Sequence, residues 1–172
     1  MRFYTKLITI FLLASSVNAF GIVESKLIGE YGSGKAWMAR IQENGDQKIC
    51  FISSNPISTT LASDKKRDTP ALMIANWYSE GILNELSVQA GFPLKLGSTV
   101  TMITGDSSYK LFTSGEGAYI EDLKIEKDVI KKMKKGARVK VKSISTKNTK
   151  VTDTYSLIGF TKALEAINKA CS

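Results

Sequence analysis

Two short stretches of the sequence come close to motifs that carry chemistry, and the first is rich in glycine. Gly29 to Ala36 fits the phosphate-binding pattern G-x-x-x-x-G-K-[ST] except at Ala36, which lacks the hydroxyl that would hold Mg²⁺. The pattern also requires a helix after the loop, whereas Ala36 to Ile41 looks like a strand. We interpret the stretch as a glycine-rich turn, and the sequence predicts no nucleotide and no other cofactor.

The second stretch resembles an acyl-transferase signature. Ser63 and Lys66 have the S-x-x-K spacing, but the companion S-D-N and K-T-G motifs are absent and the pair lies in a polar loop. The chain contains no histidine, which excludes the usual serine and cysteine nucleophile systems and the usual zinc sites. We therefore predict no catalytic residue, no metal ligand and no enzyme. The remote alternative is a hydrolase with a lysine- or carboxylate-based site that the sequence does not reveal.

The main concentration of charge lies between residues 124 and 150, where basic residues far outnumber Glu126 and Asp128. If a helix and the strand after it pack side by side, they share one positive surface that suits an anionic partner. The alternative is an ordinary solvated face. No aromatic residue occurs in 121–154 for bases to stack on, so we expect no nucleic acid. The candidate binding surface is Lys131, Lys132, Lys134, Lys135, Arg138, Lys140 and Lys142.

The first nineteen residues have the features of a cleaved signal peptide. Arg2 and Lys6 precede an apolar run from Leu7 to Ala14, and a small residue, Ala19, ends the segment. An uncleaved anchor is the alternative, but the run is shorter than the ~20 residues that span a bilayer. We expect cleavage near Ala19, a mature domain of residues 20–172 with net charge +6 and no transmembrane segment, and a periplasmic, outer-membrane-associated or secreted protein.

The chain has two cysteines, Cys50 and Cys171. Exported proteins fold in oxidising compartments, so the pair is expected to form a disulfide that closes a loop of about 120 residues. Two free buried thiols are the alternative.

Most of the mature region has the pattern of short strands. Lys35–Gln42 and Gln47–Ser54 flank an Asn-Gly hairpin signal, and in the second strand both the Ile49/Phe51 face and the Cys50/Ile52 face look covered. We interpret residues 20–34 as an irregular lead-in segment and 53–70 as a polar loop.

Two helices are predicted among the strands. Leu123 to Lys135 has Leu123, Val129, Ile130 and Met133 as its apolar positions. The strand that follows points Ala137, Val139 and Val141 to the core and its basic residues to solvent. The last helix carries one continuous apolar stripe: Phe160, Ala163, Leu164, Ile167 and Cys171. The fold class is mainly β: a single β-sandwich of antiparallel strands with two short helices, one of them C-terminal.

Several short sequence features follow one another along the chain in an order typical of one family. They are Trp37 before Ile49-Cys50-Phe51, then Pro56, Arg67, Gly91-Phe92-Pro93-Leu94 with Gly97-Ser98, Met133-Lys134-Lys135-Gly136, and Tyr155 to Phe160 followed by Ala163. With these features the chain resembles the invasion-associated locus B family. The resemblance implies a small exported β-sandwich of an alphaproteobacterium, periplasmic or outer-membrane associated. It implies a link to host-cell invasion, and it attaches no enzymatic mechanism and no catalytic residues.

These observations lead to two hypotheses besides the remote hydrolase. The first is a non-enzymatic envelope protein whose partner is a protein or an anionic component of the bacterial envelope. The second is a secreted invasion factor that acts on host cells and binds their surface.

Overall fold

A computed structural model of the chain describes residues 24–172. The predicted signal peptide, residues 1–19, lies outside the described residues. Eleven strands and two helices follow one another along the described part. They are β1 (Ser25–Tyr31), β2 (Trp37–Asn44), β3 (Gln47–Ser54), β4 (Ser58–Thr59), β5 (Ala71–Trp77), β6 (Ile82–Gln89), β7 (Val100–Thr104), β8 (Ser107–Ser114), β9 (Gly117–Tyr119), α1 (Leu123–Met133), β10 (Arg138–Ile144), β11 (Lys150–Ser156) and α2 (Phe160–Ala170).

All strand pairs are antiparallel, in the order β1-β2-β3-β5-β6-β9-β8-β7-β10-β11-β4. β8 joins two halves, because its residues up to Leu111 pair with β7 and those from Phe112 pair with β9. We call β1-β2-β3-β5-β6-β9 the first half and β8-β7-β10-β11-β4 the second half. Their inner faces contribute to one core, so the predicted mainly β, antiparallel sandwich with two helices is confirmed.

The core is built from alternate residues of both halves. Leu72, Ile74 and Leu86 of the first half are fully buried in the same cluster as Met102 and Val139 of the second half. Strand periodicity places every second side chain on one face, so this alternation fixes which residues enter the core.

The Asn-Gly hairpin forms as predicted, with Asn44 paired to Gln47. Three details of the sequence interpretation were wrong. The lead-in segment contains β1, the polar loop contains the two-residue strand β4, and only one face of β3 is covered by the described residues. Cys50 and Ile52 are buried, while Ile49 and Phe51 on the other face are only half-buried.

Helix α1 begins at an Asp122 N-cap, whose carboxylate accepts hydrogen bonds from the backbone N–H groups of Lys124 and Ile125. Val129, Ile130 and Met133 are buried as predicted, but Leu123 is 65% exposed because the first turn projects beyond the core. Ala137 is also exposed, contrary to expectation, because it lies before the first paired residue of β10.

Helix α2 covers the inner face of the first half, against β1, β2, β3 and β5. All five residues of its predicted stripe are buried. Cys50 of β3 and Cys171 form the predicted disulfide, with 5.9 Å between their Cα atoms. The bridge therefore fastens α2 to the sheet that it covers.

Within residues 24–172, neither helix is long and apolar enough to cross a lipid bilayer.

Candidate functional site

The two motif-like stretches do not form reaction centres. Gly29 and Glu30 belong to β1, and Ser33–Lys35 is a single 3₁₀ turn that leads into a strand, so the loop opens no helix that would cradle a phosphate. Lys35 instead pairs with Glu30 at 2.8 Å, and this ion pair raises the pKa of Lys35. Ser63 and Lys66 are both exposed in the loop between β4 and β5.

A cleft of about 800 Å³ lies between the β4–β5 loop, the turn after β6 and the β10–β11 turn. It brings Lys65, Lys66 and Lys147 near Ser145. The Ser145 hydroxyl accepts a hydrogen bond from the backbone N–H of Thr149 and, in the described chain, forms none with a lysine. The cleft therefore shows no paired nucleophile and base.

Arg67 and Asp153 form a two-pronged ion pair beside this cleft. The guanidinium of Arg67 donates to both carboxylate oxygens of Asp153, at 2.6 and 2.8 Å, and both side chains are more than 90% buried. Arg67 also donates to the carbonyl of Ala90 and lies 5.7 Å from the ring centroid of Phe92. All of these contacts bind the β4–β5 loop and the turn after β6 to β11, which is a structural role.

Other residues that carry the family resemblance also hold the fold together. The indole N–H of Trp37 donates to the carbonyl of Ser156, which joins β2 to β11, and its ring centroid lies 5.0 Å from that of Phe160. Gly159 has φ +89° and its backbone lies against Gly32, so a Cβ at either glycine would overlap the other segment. Trp37 joins the first half of the sheet to the second, and the two glycines allow the chain before α2 to lie against the chain after β1. These roles are structural.

Tyr155 is fully buried, and its hydroxyl has no hydrogen-bond partner among the described residues. Burial, together with the nearby Asp153 carboxylate, raises the pKa of Tyr155. The phenol is therefore neutral near pH 7 and does not act as a base there.

The seven predicted surface residues are all exposed. Lys131, Lys132, Lys134 and Lys135 lie on the last turn of α1 and just after it; we call them the helix lysines. Arg138, Lys140 and Lys142 occupy alternate positions of β10 and face away from the core. The two groups meet through the short connection at Gly136. Among the strands, α1 has its main contact with β7.

A buried carboxylate and a tyrosine position helix α1. Glu126 is 5% exposed and accepts a hydrogen bond of 2.7 Å from the backbone N–H of Leu86. Burial raises the pKa of Glu126; the Leu86 N–H opposes that shift and the Glu85 charge adds to it. Two residues further along the helix, Asp128 accepts a hydrogen bond from the Tyr109 hydroxyl, and the pKa of Tyr109 is raised by burial and by this bond.

Sheet pairing extends the β10 residues into a larger basic face. β7 and β8 place Thr101, Ile103 and Lys110 beside them on one side, and β11 places Lys150, Thr152 and Thr154 on the other. We define the basic face as the outer side of β7, β8, β10 and β11, with Lys110, Arg138, Lys140, Lys142 and Lys150 as its cations. These four strands contain a single carboxylate, Asp153, which points inward to Arg67.

In the part of the chain that the structure describes, the cations of the basic face have no acidic partner within 4 Å. In residues 24–172 the ion pairs within 4 Å are Lys35–Glu30 and Arg67–Asp153, and neither involves the basic face or the helix lysines. The neighbours of Lys140 across the strands are Ile103 and Thr154, and those of Lys142 are Thr101 and Thr152. Lys110 was not predicted to belong to this surface, because its hairpin lies far upstream of β10 in the sequence. The alternation of Lys110 with inward-facing Tyr109 and Leu111 was the available signal.

The chain was compared with protein families, curated proteins and solved structures. A profile described as invasion associated locus B (IalB) protein matches residues 37–168, well over half of the chain. No curated protein matches. The crystal structure of invasion associated protein B from Bartonella henselae is similar with a TM-score of 0.57 at 14% identity, over 86% of this chain and 97% of that chain. This similarity supports the fold. The chain belongs to the invasion associated locus B family.

Proposed function

We propose that this protein is a non-enzymatic component of the bacterial envelope that binds another envelope component, a protein or an anionic molecule. The binding surface is made of Lys131, Lys132, Lys134, Lys135, Arg138, Lys140 and Lys142. In this proposal residues 1–19 are removed near Ala19, and residues 20–172 form the mature domain. No cofactor, metal or nucleic acid takes part.

The observation that carries the proposal is that, in the described chain, these cations form no ion pair and the β10 members have no acidic neighbour across the strands. Like charges on neighbouring positions of one face repel and contribute nothing to folding. The core and the Arg67–Asp153 pair hold β10 and β11 without them. An anionic partner would relieve the repulsion and gain electrostatic attraction.

The periplasm is the proposed location, with outer-membrane association or secretion as the alternatives. A disulfide between Cys50 and Cys171 is typical of proteins in oxidising compartments. Membership of a bacterial family described as invasion associated also supports a place in the envelope.

Photo-crosslinking in the native cell tests the proposal. A photoreactive residue at Lys140 should give adducts with one periplasmic or outer-membrane component. Changing Lys131, Lys132, Lys134 and Lys135 to Glu should abolish those adducts. A variant with Lys65, Lys66, Lys162 and Lys169 changed to Glu has the same net charge and should retain them. Unchanged adducts in a folded helix-lysine variant would refute the surface.

A secreted factor that acts on host cells is the second candidate. The family description and the name of the Bartonella henselae protein favour it. In that case the protein would be found outside the bacterium, and its adducts would be with host material. Fractionation of the same crosslinked sample separates the two functions.

A further inference from the structure

We infer that the basic face, together with the first turn of α1, docks on the surface of an anionic phospholipid membrane. This inference rests on the proposed function, because it names the chemistry of the envelope partner.

The shape of the basic face favours a broad ligand over a small one. Arg138, Lys140 and Lys142 alternate along β10, so neighbouring charges are about 7 Å apart. Lys110 lies on β8, two strands away and so about 10 Å across the sheet, and Lys150 lies on β11. The cleft described above is lined by none of these five residues. Charges spread over an open sheet suit a surface that carries many phosphates.

The composition of the face favours lipid over protein or nucleic acid. Lysine is depleted in protein interfaces, where aromatic side chains and arginine provide most of the affinity. Clusters of lysine and arginine, in contrast, are typical of sites that bind anionic lipids. Between the cations lie threonines and Ile103, and the one aromatic side chain on the described face is Phe112 at the far end of β8, so aromatic residues do not alternate with the cations as stacking on successive bases requires.

Exposed apolar side chains adjoin the cations. Leu123 and Ile125, on the first turn of α1, are 65% and 44% exposed. A groove lined by Lys110, Lys124 and Ile125, among others, connects this turn to the basic face. Proteins that bind at a membrane surface combine such apolar residues, which enter the headgroup region, with cations that attract the lipid.

Four carboxylates lie on or just before the first two turns of α1, and three of them accept hydrogen bonds. Asp122 caps the helix, Asp128 accepts a hydrogen bond from Tyr109, and Glu126 is buried against Leu86. Glu121 remains exposed before the helix. Glu121, Asp122 and Asp128 are exposed, so the first turn of α1 contributes its apolar side chains to docking, and the attraction to lipid comes from the basic face.

Co-sedimentation of the full mature protein with vesicles tests the inference. The probes are vesicles that mix phosphatidylcholine with phosphatidylglycerol, and vesicles of phosphatidylcholine alone. Wild-type protein should bind only the mixed vesicles, and less tightly as salt is added. Changing Lys110, Lys140 and Lys142 to Glu should weaken binding by at least about 100-fold, since each cation near an anionic surface contributes about fivefold.

Two matched controls accompany this variant. Changing Lys26, Lys66 and Lys162 to Glu alters the net charge equally at exposed positions outside the basic face and should leave most of the binding. Leu123→Ser with Ile125→Ser should weaken binding several-fold, whereas Leu83→Ser with Leu96→Ser, at two other exposed sites, should not. Circular dichroism checks that each variant is folded.

Equal losses in the two charge-reversed variants would overturn the inference, since net charge and not the face would then govern binding. Failure of the wild-type protein to bind mixed vesicles at low salt would also overturn it. If crosslinking to an envelope component still depends on the helix lysines in that case, the partner is a protein or an anionic component other than phospholipid, and the proposed function stands without the lipid.

Discussion

The outer faces of the two halves differ in chemistry, although their inner faces are alike. In the first half, Met38, Phe51 and Met73 are half-buried on the outer face, and cations and carboxylates both occur, as with Arg40 and Glu85. The second half presents the basic face, which has cations and hydroxyls but no carboxylate. Inner faces must be apolar for the core to form, whereas folding leaves the outer chemistry free. A face that departs so far from mixed charge therefore points to a role outside folding.

The halves also differ in how they are held. The first half has α2 fastened to its inner face by the disulfide. Besides the pairing of β8 with β9, the second half is joined to the first by the Arg67–Asp153 pair and by the hydrogen bond from Trp37 to Ser156. Changes at these two kinds of attachment should have distinguishable effects.

The largest expected effect on stability comes from removing the disulfide. The bridge closes a separation of 121 residues. Chain entropy predicts that Cys50→Ser with Cys171→Ser lowers the free energy of unfolding by about 5 kcal/mol. Urea denaturation measures the loss, and hydrogen exchange should show it first in α2 and β3. Equal stability with and without the bridge would mean that packing alone holds α2.

Asp153→Ala should destabilise the protein by about 3–5 kcal/mol, because it leaves the Arg67 guanidinium buried without its partner. Here faster hydrogen exchange is expected in β10 and β11 rather than in α2. The control is the double variant Arg67→Met with Asp153→Leu, which removes both charges and should recover most of the loss. A loss below about 1 kcal/mol in the single variant would show that solvent reaches Arg67 easily.

Glu126→Gln should change the pH dependence of stability. The pKa of Glu126 is raised in the folded protein, so the folded state binds its proton more tightly than the unfolded state does. This carboxyl therefore makes stability fall as pH rises from its ordinary pKa through the raised value. The amide still accepts from Leu86 without that fall. Urea midpoints over this pH range test the prediction, and parallel curves for the two proteins would contradict it.

The smallest expected effect on stability comes from changing lysines of the basic face, because they make no contribution to the core. Lys140→Thr with Lys142→Thr removes like charges from a strand that favours threonine, so stability should rise slightly or change by less than about 0.5 kcal/mol. Capture of the envelope partner should fall clearly. The control is Lys26→Thr with Lys162→Thr, which should preserve capture. A loss of more than about 1 kcal/mol in the first variant would give these lysines a structural role.

The sequence predicted those helices and strands in which apolar residues recur at a regular spacing. The stripe of α2 recurs from Phe160 to Cys171, and the alternation around Val139 and Val141 holds through β10. β1 was missed because its register shifts between Leu27 and Gly29, which breaks the alternation on which strand prediction depends.

The candidate surface was predicted only in part, for a related reason. Its β10 cations and helix lysines are close in sequence, so one run of charge reveals them. Lys110 joins them only because β7 lies between β8 and β10, and pairing between distant strands leaves no local mark. The absence of acids on the whole face is likewise visible only once strand order and register are known.

The disulfide between β3 and the end of α2 also limits how early in synthesis the protein can complete its fold. Because a chain is synthesised from its N-terminus, Cys50 is present long before Cys171, which lies 121 residues later. During that interval the inner face of β1, β2 and β3 lacks the helix that covers it, and the thiol of Cys50 lacks its native partner. The early strands must therefore wait for almost the whole chain to arrive. If the protein is exported as proposed, the cell must shield this apolar face and keep the thiol of Cys50 from pairing wrongly until Cys171 arrives.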